Sequence, residues 1–266
     1  MRVVGRYNDH ARTCDEDDPE VPLVHFCPDC GATVFFTDAT ADATARLARG
    51  WRLSDAVPKL QMTDTREVRG LTVRTAGPAD LPAITETISL AFHGDPTWSW
   101  AFPDPDRRPE QYSVFWRFVV AGALRYPSVL MTASCEAAAV WIPPNGTELA
   151  EEDEARMMPL LEELVGPRAT QVLELLARFD ACHPHTEPHY YLSLLGTHPR
   201  HAGKGIGMAL LAENLDRIDA EHMPAYLESS NPRNNHRYER HGFEATGEFY
   251  PPGGDVPVTT MWREAR

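Results

Sequence analysis

The sequence predicts an α+β domain built on a mixed sheet, preceded by a small module that holds a cysteine cluster. From residue 71 onward, short stretches of β-branched and aromatic residues alternate with longer stretches whose apolar residues recur every three to four positions. These two periodicities are typical of strands and helices. A glycine-rich turn at 203–207 joins one strand pattern to one helix pattern. The first 60 residues differ, because they hold three of the five cysteines and only short alternating apolar stretches.

The composition is that of an acidic globular protein. The 266 residues include 25 Lys plus Arg and 39 Asp plus Glu, which gives a net charge of −14, and 42% of them are hydrophobic. This excludes a wholly disordered chain, and the acidity argues against a nucleic-acid partner, which needs a basic surface. No apolar stretch approaches the roughly 18 residues of a membrane helix, and the first residues lack an apolar signal core. We therefore expect a cytoplasmic protein without a membrane partner. The negative charge suits a cationic small molecule, and it is also a plain route to solubility.

The predicted elements of the α+β domain follow in chain order. Strands are expected at 71–74, 129–132, 137–142, 190–195 and 225–229, and a closing hairpin at 243–250 and 256–262. Helices are expected at 77–91, 110–126, 151–164, 169–179, 205–222 and 235–241. Gly166-Pro167 separates two of these helices, because proline interrupts the helical hydrogen bonds.

The chain is expected to divide into a module at 1–60, a polar linker at 61–70 and the α+β domain at 71–266. In the module, alternating stretches at 23–26 and 33–36 flank Cys27-Pro28-Asp29-Cys30-Gly31. This predicts a hairpin with a zinc-knuckle turn, as in a zinc ribbon, since Pro and Gly aim two thiolates at one point. Residues 10 and 14 would share one face of a helix, so the predicted structural zinc ligands are His10, Cys14, Cys27 and Cys30. His25 competes with His10, and a redox Cys-x-x-Cys is the alternative.

The glycine-rich turn predicts an anion-binding site. Gly203, Gly205 and Gly207 stand between a strand and an amphipathic helix. Glycines let successive backbone N–H groups face one concavity, and the following helix N-terminus favours negative charge. Lys204 is not followed by Ser or Thr, so the turn is not a Walker A loop, and its glycine spacing is wrong for a Rossmann fingerprint. A plain tight turn remains the alternative.

The segments after this turn carry a family resemblance. A strand, the Gly-x-Gly-x-Gly turn, a helix, a second strand and then Asn234-x-x-x-Tyr238-Glu239-Arg240-x-Gly242-Phe243 resemble the GNAT superfamily of acetyl-CoA-dependent N-acetyltransferases over about residues 70–266. The resemblance implies a GNAT fold, with a twisted, mostly antiparallel mixed sheet flanked by helices. Within the superfamily the chain is most similar to puromycin N-acetyltransferases, through Ala139-Val140-Trp141, Gly203-Lys204-Gly205, Pro224-Ala225-x-Leu227-Glu228, Pro232-Arg233-Asn234 and Tyr238-Glu239-Arg240.

The resemblance also implies roles for individual residues. The cofactor cradle is Ala202, Gly203, Lys204, Gly205, Ile206, Gly207 and Met208, where Ala202 replaces the Gln or Arg of the family pattern. Backbone N–H groups at a strand bulge around Leu195, Gly196 and Thr197 would stabilise the oxyanion. Asn234 matches a residue that hydrogen-bonds CoA, although a helix N-cap would look the same. Tyr238 matches the tyrosine that contacts the cofactor and protonates the CoA sulfur, which suits a phenol with a pKa near 10.

Glu228 is the predicted general base, because it ends the strand that faces the glycine turn across the expected cleft. The alternatives are a carboxylate that only attracts an ammonium group, and a solvated strand end. Four histidines, His93, His183, His185 and His189, are further candidates for proton transfer.

These patterns together predict an enzyme. We expect an N-acetyltransferase that moves an acetyl group from acetyl-CoA to a primary amine of a small cationic molecule, such as an aminonucleoside or another antibiotic, which would confer antibiotic resistance. One alternative is acetylation of a protein or peptide amine. The other is a non-catalytic regulator that binds acetyl-CoA and uses the zinc module to contact a partner. A homodimer is compatible with the sequence.

Overall fold

The computed structural model describes residues 24–26, 33–35 and 72–266, and the chain divides into two units, Met1–Arg69 and Gly70–Arg266. In the first unit, β1 (Val24–Phe26) pairs antiparallel with β2 (Thr33–Phe35). The predicted pairing of these two stretches is thus confirmed. The predicted zinc ligands His10, Cys14, Cys27 and Cys30 lie outside the described residues, and so does the linker at 61–70.

The second unit is built on a seven-stranded sheet. Its strands are β3 (Val73–Thr75), β4 (Val129–Thr132), β5 (Ala137–Ile142), β6 (Tyr190–Thr197), β7 (Ala225–Ser229), β8 (Glu244–Phe249) and β9 (Val258–Arg263). They lie in the order β3-β4-β5-β6-β7-β9-β8. Every neighbouring pair is antiparallel except β6 and β7, which are parallel. The predicted mixed, mostly antiparallel sheet is confirmed.

Helices cover both faces of this sheet. They are α1 (Leu81–Ala91), α2 (Pro96–Ala101), α3 (Arg108–Ala123), α4 (Glu151–Val165), α5 (Ala169–Cys182), α6 (Ile206–Ala220) and α7 (Asn235–Glu239). The sequence did not predict α2, and Gly166–Arg168 forms a 3₁₀ turn between α4 and α5. Within residues 72–266, no helix has the length and apolar character needed to cross a membrane.

Strand β5 shows how the sheet separates two apolar cores. Side chains alternate across a strand, and β5 is buried on both faces. Its even-numbered residues join a core with α1 to α5, whereas its odd-numbered residues join a second core with α6. Trp141 fixes α6 on the second face, because its indole Nε1–H donates to Asn214 Oδ1 at 2.7 Å.

The parallel pair β6 and β7 separates part-way along its length. The two strands pair over only three positions, ending at Leu192 opposite Leu227. Beyond this point β6 stays paired with β5 alone, and Glu228 and Ser229 of β7 stay paired with β9 alone. A gap therefore opens in the middle of the sheet, at the end of β6 that leads to the glycine-rich turn.

Candidate acetyl-transfer site

The glycine-rich turn has the backbone that an anion cradle requires. Gly203 and Gly205 both have φ of +74°, and a Cβ on either would meet nothing within 4 Å. Gly205 is the N-cap of α6, and the first helical bond runs from the Ala209 N–H to the Gly205 carbonyl at 2.9 Å. The N–H groups of Ile206, Gly207 and Met208 precede that bond and have no carbonyl within the helix. The turn is thus open to an anion and presents backbone donors to it.

Close packing fixes the strand that leads into this turn. A Cβ on Gly196 would lie 2.8 Å from Ile88 Cδ1 of α1, and a Cβ on Gly207 would collide with Thr197 Oγ1. A larger side chain at either position would force Ile88 or Thr197 to shift. The end of β6 is thus packed closely against α1 and against the start of α6.

The strand bulge lies at Ser193, and the prediction of a bulge around Leu195 to Thr197 was wrong. Trp141 faces Leu192 and Val140 faces Leu194, so Ser193 has no opposite residue, whereas residues 195–197 pair regularly with β5. A bulge re-aims a side chain and interrupts the ladder. The bulge directs Ser193 to Glu148, whose carboxylate accepts a hydrogen bond from the Ser193 hydroxyl.

A cavity of about 850 Å³ occupies the gap between β6 and β7. Of the predicted site residues, Leu195, Glu228, Asn234 and Tyr238 line it, whereas the glycine-rich turn does not. Within the described part of the chain, its walls contain no Lys or Arg side chain but six acidic ones, namely Asp95, Glu148, Glu154, Asp180, Glu187 and Glu228. Six acidic side chains and no basic one among the described walls make this cavity a place that attracts a cation.

Tyr238 projects from α7 into this cavity as a firmly protonated phenol. Burial raises the pKa of Tyr238 to about 12, and the negative charge of Asp95 adds to the effect. Its ring packs edge-on against Phe243, with the centroids 6.2 Å apart. The hydroxyl therefore keeps its proton throughout the neutral range and can donate it to a developing anion.

Asp95 ties α2 to the chain that follows β7. Its carboxylate accepts hydrogen bonds from the Trp98 N–H at 3.1 Å and from Ser230 Oγ at 2.7 Å, and the Thr97 hydroxyl donates to the Ser230 carbonyl at 2.8 Å. These contacts fix the segment between Glu228 and Tyr238.

Asn234 is the N-cap residue of α7, but its side chain makes no capping hydrogen bond. The side chain contributes to the cavity wall. The capping alternative therefore does not account for this residue, and its amide remains available for a ligand.

Glu228 is buried at the base of the cavity. Its side chain is 2% exposed, and within the described residues its Oε1 has no hydrogen-bond partner. A buried carboxylate oxygen without a donor is costly. The solvated-strand-end alternative is therefore wrong.

Glu148 is a second, partly buried carboxylate that the sequence analysis missed. Burial raises the pKa of Glu148, and the nearby charge of Glu228 raises it further. The guanidinium of Arg125 holds its loop by donating to the carbonyls of Glu148 at 3.0 Å and Leu149 at 2.9 Å, and to those of Gly122 and Thr147. No residue pattern in the loop predicted this carboxylate, because its position depends on contacts with α3.

The four candidate histidines separate into two groups. His183, His185 and His189 line the cavity, whereas the exposed His93 does not. The ring of His183 lies against Tyr191 and Tyr226, at centroid distances of 4.8 and 5.1 Å, and its Nδ1 is 3.8 Å from Glu228 Oε1. In residues 72–266 no group of three or more His, Cys, Asp or Glu side chains is arranged to hold a metal ion.

The parallel strands β6 and β7 that separate part-way, the glycine-rich turn and the cavity between these strands are the features of a GNAT-type fold. Residues 172–243 match the Acetyltransferase (GNAT) family, and this segment contains β6, the turn, α6, β7 and Tyr238. The predicted GNAT fold of the second unit and the predicted enzyme class are thus confirmed.

Solved structures show the same fold. An acetyltransferase from Corynebacterium glutamicum, described as histone acetyltransferase HPA2 and related acetyltransferase, is 26% identical, with a TM-score of 0.56 over 74% of this chain and 97% of its own. The polyamine N-acetyltransferase of Drosophila melanogaster, which forms N-acetylagmatine, is 16% identical, with a TM-score of 0.53 over 73% of this chain and 99% of its own. Arylalkylamine N-acetyltransferase 2 of Aedes aegypti is 12% identical, with a TM-score of 0.52 over 74% of this chain and all of its own.

Proposed function

We propose that this protein transfers the acetyl group of acetyl-CoA to a primary amine of a small cationic molecule. The acidic cavity between β6 and β7 carries this proposal. Its wall combines the carboxylate of Glu228, whose Oε1 has no hydrogen-bond partner among the described residues, with the protonated phenol of Tyr238. A base and an acid on one cavity are what acyl transfer to an ammonium group requires.

The glycine-rich turn is the proposed site of the CoA pyrophosphate. The N–H groups of residues 206–208 would donate to its oxygens, and the open space over Gly203 and Gly205 leaves room for them. When bound, acetyl-CoA supplies an acetyl group activated as a thioester. Leu195 belongs both to the cavity wall and to the strand that enters the turn, so the two parts of the site are continuous.

The side chains have separate roles in the proposed reaction. Glu228 accepts the proton that the ammonium group must lose before its nitrogen can attack. Tyr238 donates its phenolic proton to the departing sulfur. Backbone N–H groups of β6 next to the Ser193 bulge stabilise the carbonyl oxygen as it becomes negative. Asn234 hydrogen-bonds the CoA arm, since its amide is not used in capping.

The charge of the cavity supports a cationic acceptor. Glu148 and Glu228 both face a space without Lys or Arg among its described walls. The related fly enzyme forms N-acetylagmatine, and agmatine carries a second cationic group besides its amine. An aminonucleoside or other antibiotic, as the resemblance to puromycin N-acetyltransferases implies, is a narrower proposal within this class.

A screen of amine acceptors, with release of the CoA thiol as the readout, tests the proposal. The panel should pair each diamine with the monoamine of equal length, and include aminonucleosides and a lysine-containing peptide. We expect diamines to give the higher kcat/KM, and Glu228→Gln to reduce it for every acceptor. Preference for the peptide would favour a protein acceptor, whereas acetyl-CoA binding without any acetylated amine would favour the regulator.

The N-terminal module is proposed to hold a structural zinc ion through His10, Cys14, Cys27 and Cys30. Its chemistry supports this, because paired thiolates around a Cys-Pro-Asp-Cys-Gly turn are typical zinc ligands. The homodimer, the cytoplasmic location and the absence of nucleic-acid or membrane partners also remain predictions.

A further inference from the structure

The burial of Glu228 raises the question of where the amine proton goes. Acetylation of an ammonium group releases one net proton, because an R–NH₃⁺ group becomes a neutral amide and the CoA sulfur takes up only one of the two protons lost. Glu228 is 2% exposed, so it cannot pass the remaining proton directly to bulk water. His183 is a titratable side chain next to Glu228 with access to solvent, since it is 25% exposed and has its Nδ1 3.8 Å from Glu228 Oε1.

Hydrogen bonds assign the protons on two neighbouring histidines. His189 Nδ1 lies 2.6 Å from the Glu187 carbonyl, which can only accept, so this nitrogen carries a proton. Burial lowers the pKa of His189, which keeps the ring neutral and leaves its Nε2 as an acceptor. His183 Nε2 lies 3.2 Å from that acceptor and must therefore donate. The ring of His183 thus turns its second nitrogen, Nδ1, toward Glu228.

This arrangement leaves a place for one mobile proton between Glu228 Oε1 and His183 Nδ1. Without it, a nitrogen lone pair and a carboxylate oxygen would face each other in a buried site, which is unfavourable. With this proton present, either His183 Nδ1 or Glu228 Oε1 carries it and donates it toward the other atom. Their 3.8 Å separation is longer than a hydrogen bond. A small side-chain rotation or one bridging water would close it.

We propose that His183 takes the amine proton from Glu228 and releases it to solvent, with His189 as the positioning residue that fixes the His183 ring. This step rests on the proposed function. The N–H bond of the ammonium breaks and an O–H bond forms on Glu228. That bond breaks as an N–H bond forms on His183 Nδ1, and the imidazolium then loses this proton to water. Electrons are not transferred, and Glu228 returns to its carboxylate form for the next turnover.

The surroundings of His183 keep its ring in this orientation. Tyr191 and Tyr226 pack against it edge-on, and the Tyr226 hydroxyl donates a hydrogen bond to the Cys182 carbonyl at 3.1 Å. The other titratable groups that face this pair are Glu148, Cys182, His185, His189, Tyr191 and Tyr226. Burial raises the pKa of Tyr191 and of Tyr226, so neither phenol competes for the proton near neutral pH.

Chemical rescue tests the relay. In His183→Ala we expect kcat for the preferred amine to fall roughly 10²-fold, at the lower end of general acid–base effects. The KM for the amine should change little, because Glu228 still faces the ammonium group. Added imidazole should restore kcat in proportion to the concentration of its neutral form, so the rescue should increase with pH. His93→Ala is the matched control, because His93 is exposed and outside the cavity wall, and it should keep the wild-type kcat and pH profile.

A second variant covers the case in which His183→Ala does not fold. His183→Gln places an amide donor toward His189 Nε2 but cannot carry the proton, so it should fold and lose kcat to the same extent. Wild-type kcat and pH profile in either variant would overturn the relay, and so would a loss in His183→Ala that imidazole does not restore in folded protein.

Nitrogen-15 NMR of the histidine side chains separates failure of the relay from failure of the proposed function, because it needs no substrate. We expect a proton on His189 Nδ1, a proton on His183 Nε2, and a coupling through the hydrogen bond between the two Nε2 atoms. A neutral His183 protonated on Nδ1 would overturn the relay even if the enzyme acetylates amines. A wild-type protein that shows the expected protons but acetylates no amine would overturn the proposed function, and the relay with it.

Discussion

Gly205→Ala separates the role of the glycine-rich turn in ligand binding from its role in the fold. Gly205 has φ of +74°, where an L residue is strained by about 1–2 kcal/mol. Since a Cβ there meets nothing within 4 Å, no steric cost is added. We therefore expect the melting temperature to fall by about 2–8 °C, at about 2–4 °C for each kcal/mol in a domain of this size.

The loss of affinity for acetyl-CoA in Gly205→Ala should be larger than the backbone strain alone would cause. The added methyl group occupies the space over the turn from which phosphate oxygens reach the N–H groups of residues 206–208. Loss of one hydrogen bond to a charged group costs about 1.5–3 kcal/mol, which raises the Kd for acetyl-CoA about 10- to 150-fold. Titration calorimetry measures this change, and thermal unfolding of the same samples measures the strain.

Gly253→Ala is the matched control. Gly253 lies in the β8–β9 turn with φ of +67°, and a Cβ there also meets nothing within 4 Å. It should show a similar fall in melting temperature with an unchanged Kd for acetyl-CoA. Equal affinity in both variants would refute the assignment of the turn as the cofactor cradle.

Three further predictions concern the acid, the second carboxylate and the metal. Tyr238→Phe should lower kcat roughly 10²–10⁴-fold in the thiol-release assay, and full activity of the variant would exclude Tyr238 as the general acid. Since burial raises the pKa of Tyr238 to about 12, deprotonation of this phenol should not lower the wild-type kcat below about pH 10. Because burial raises the pKa of Glu148 above its ordinary 4.5, the folded state binds more protons than the unfolded state, so stability falls as pH rises above 4.5 through the raised value. Glu148→Gln should remove this loss of stability and raise the melting temperature at pH 7 by a few degrees, at about 2–4 °C for each kcal/mol of stability gained. If the melting temperatures of the wild type and the variant change with pH in parallel, Glu148 does not titrate as proposed. Purified protein should contain about one zinc ion per chain, and Cys27→Ser should lose it; elemental analysis that finds no zinc in the wild type would favour the redox alternative.

The parts of the fold with local signals could be predicted from the sequence. Strands β4, β5 and β7 have the predicted bounds, because alternation or continuous apolar residues between turn residues specify them locally. Helix α2 was missed, since its six residues are too few for a periodic pattern. It is held by Asp95 and Thr97, whose partner Ser230 is more than 130 positions away in the chain.

The site was only partly predictable for the same reason. Glu228 and Tyr238 both line the cavity. Tyr238 was expected there from the resemblance, and Glu228 from its place at the end of a strand. Glu148 stands in an irregular loop, and Ser193 meets it only because the register of β5 against β6 skips one residue. No local pattern specifies a register between strands that are 50 residues apart.

The clamp formed by Arg125 has a consequence for how this cavity can change. It holds the loop of Glu148 mainly through backbone carbonyls, including that of Glu148 itself. A carbonyl is the same for every amino acid, so the loop keeps its course whichever side chain stands at position 148. One nucleotide substitution can therefore exchange this carboxylate for a neutral or basic group on an intact framework. The charge of the cavity wall can therefore change at position 148 while the backbone of the loop keeps its place.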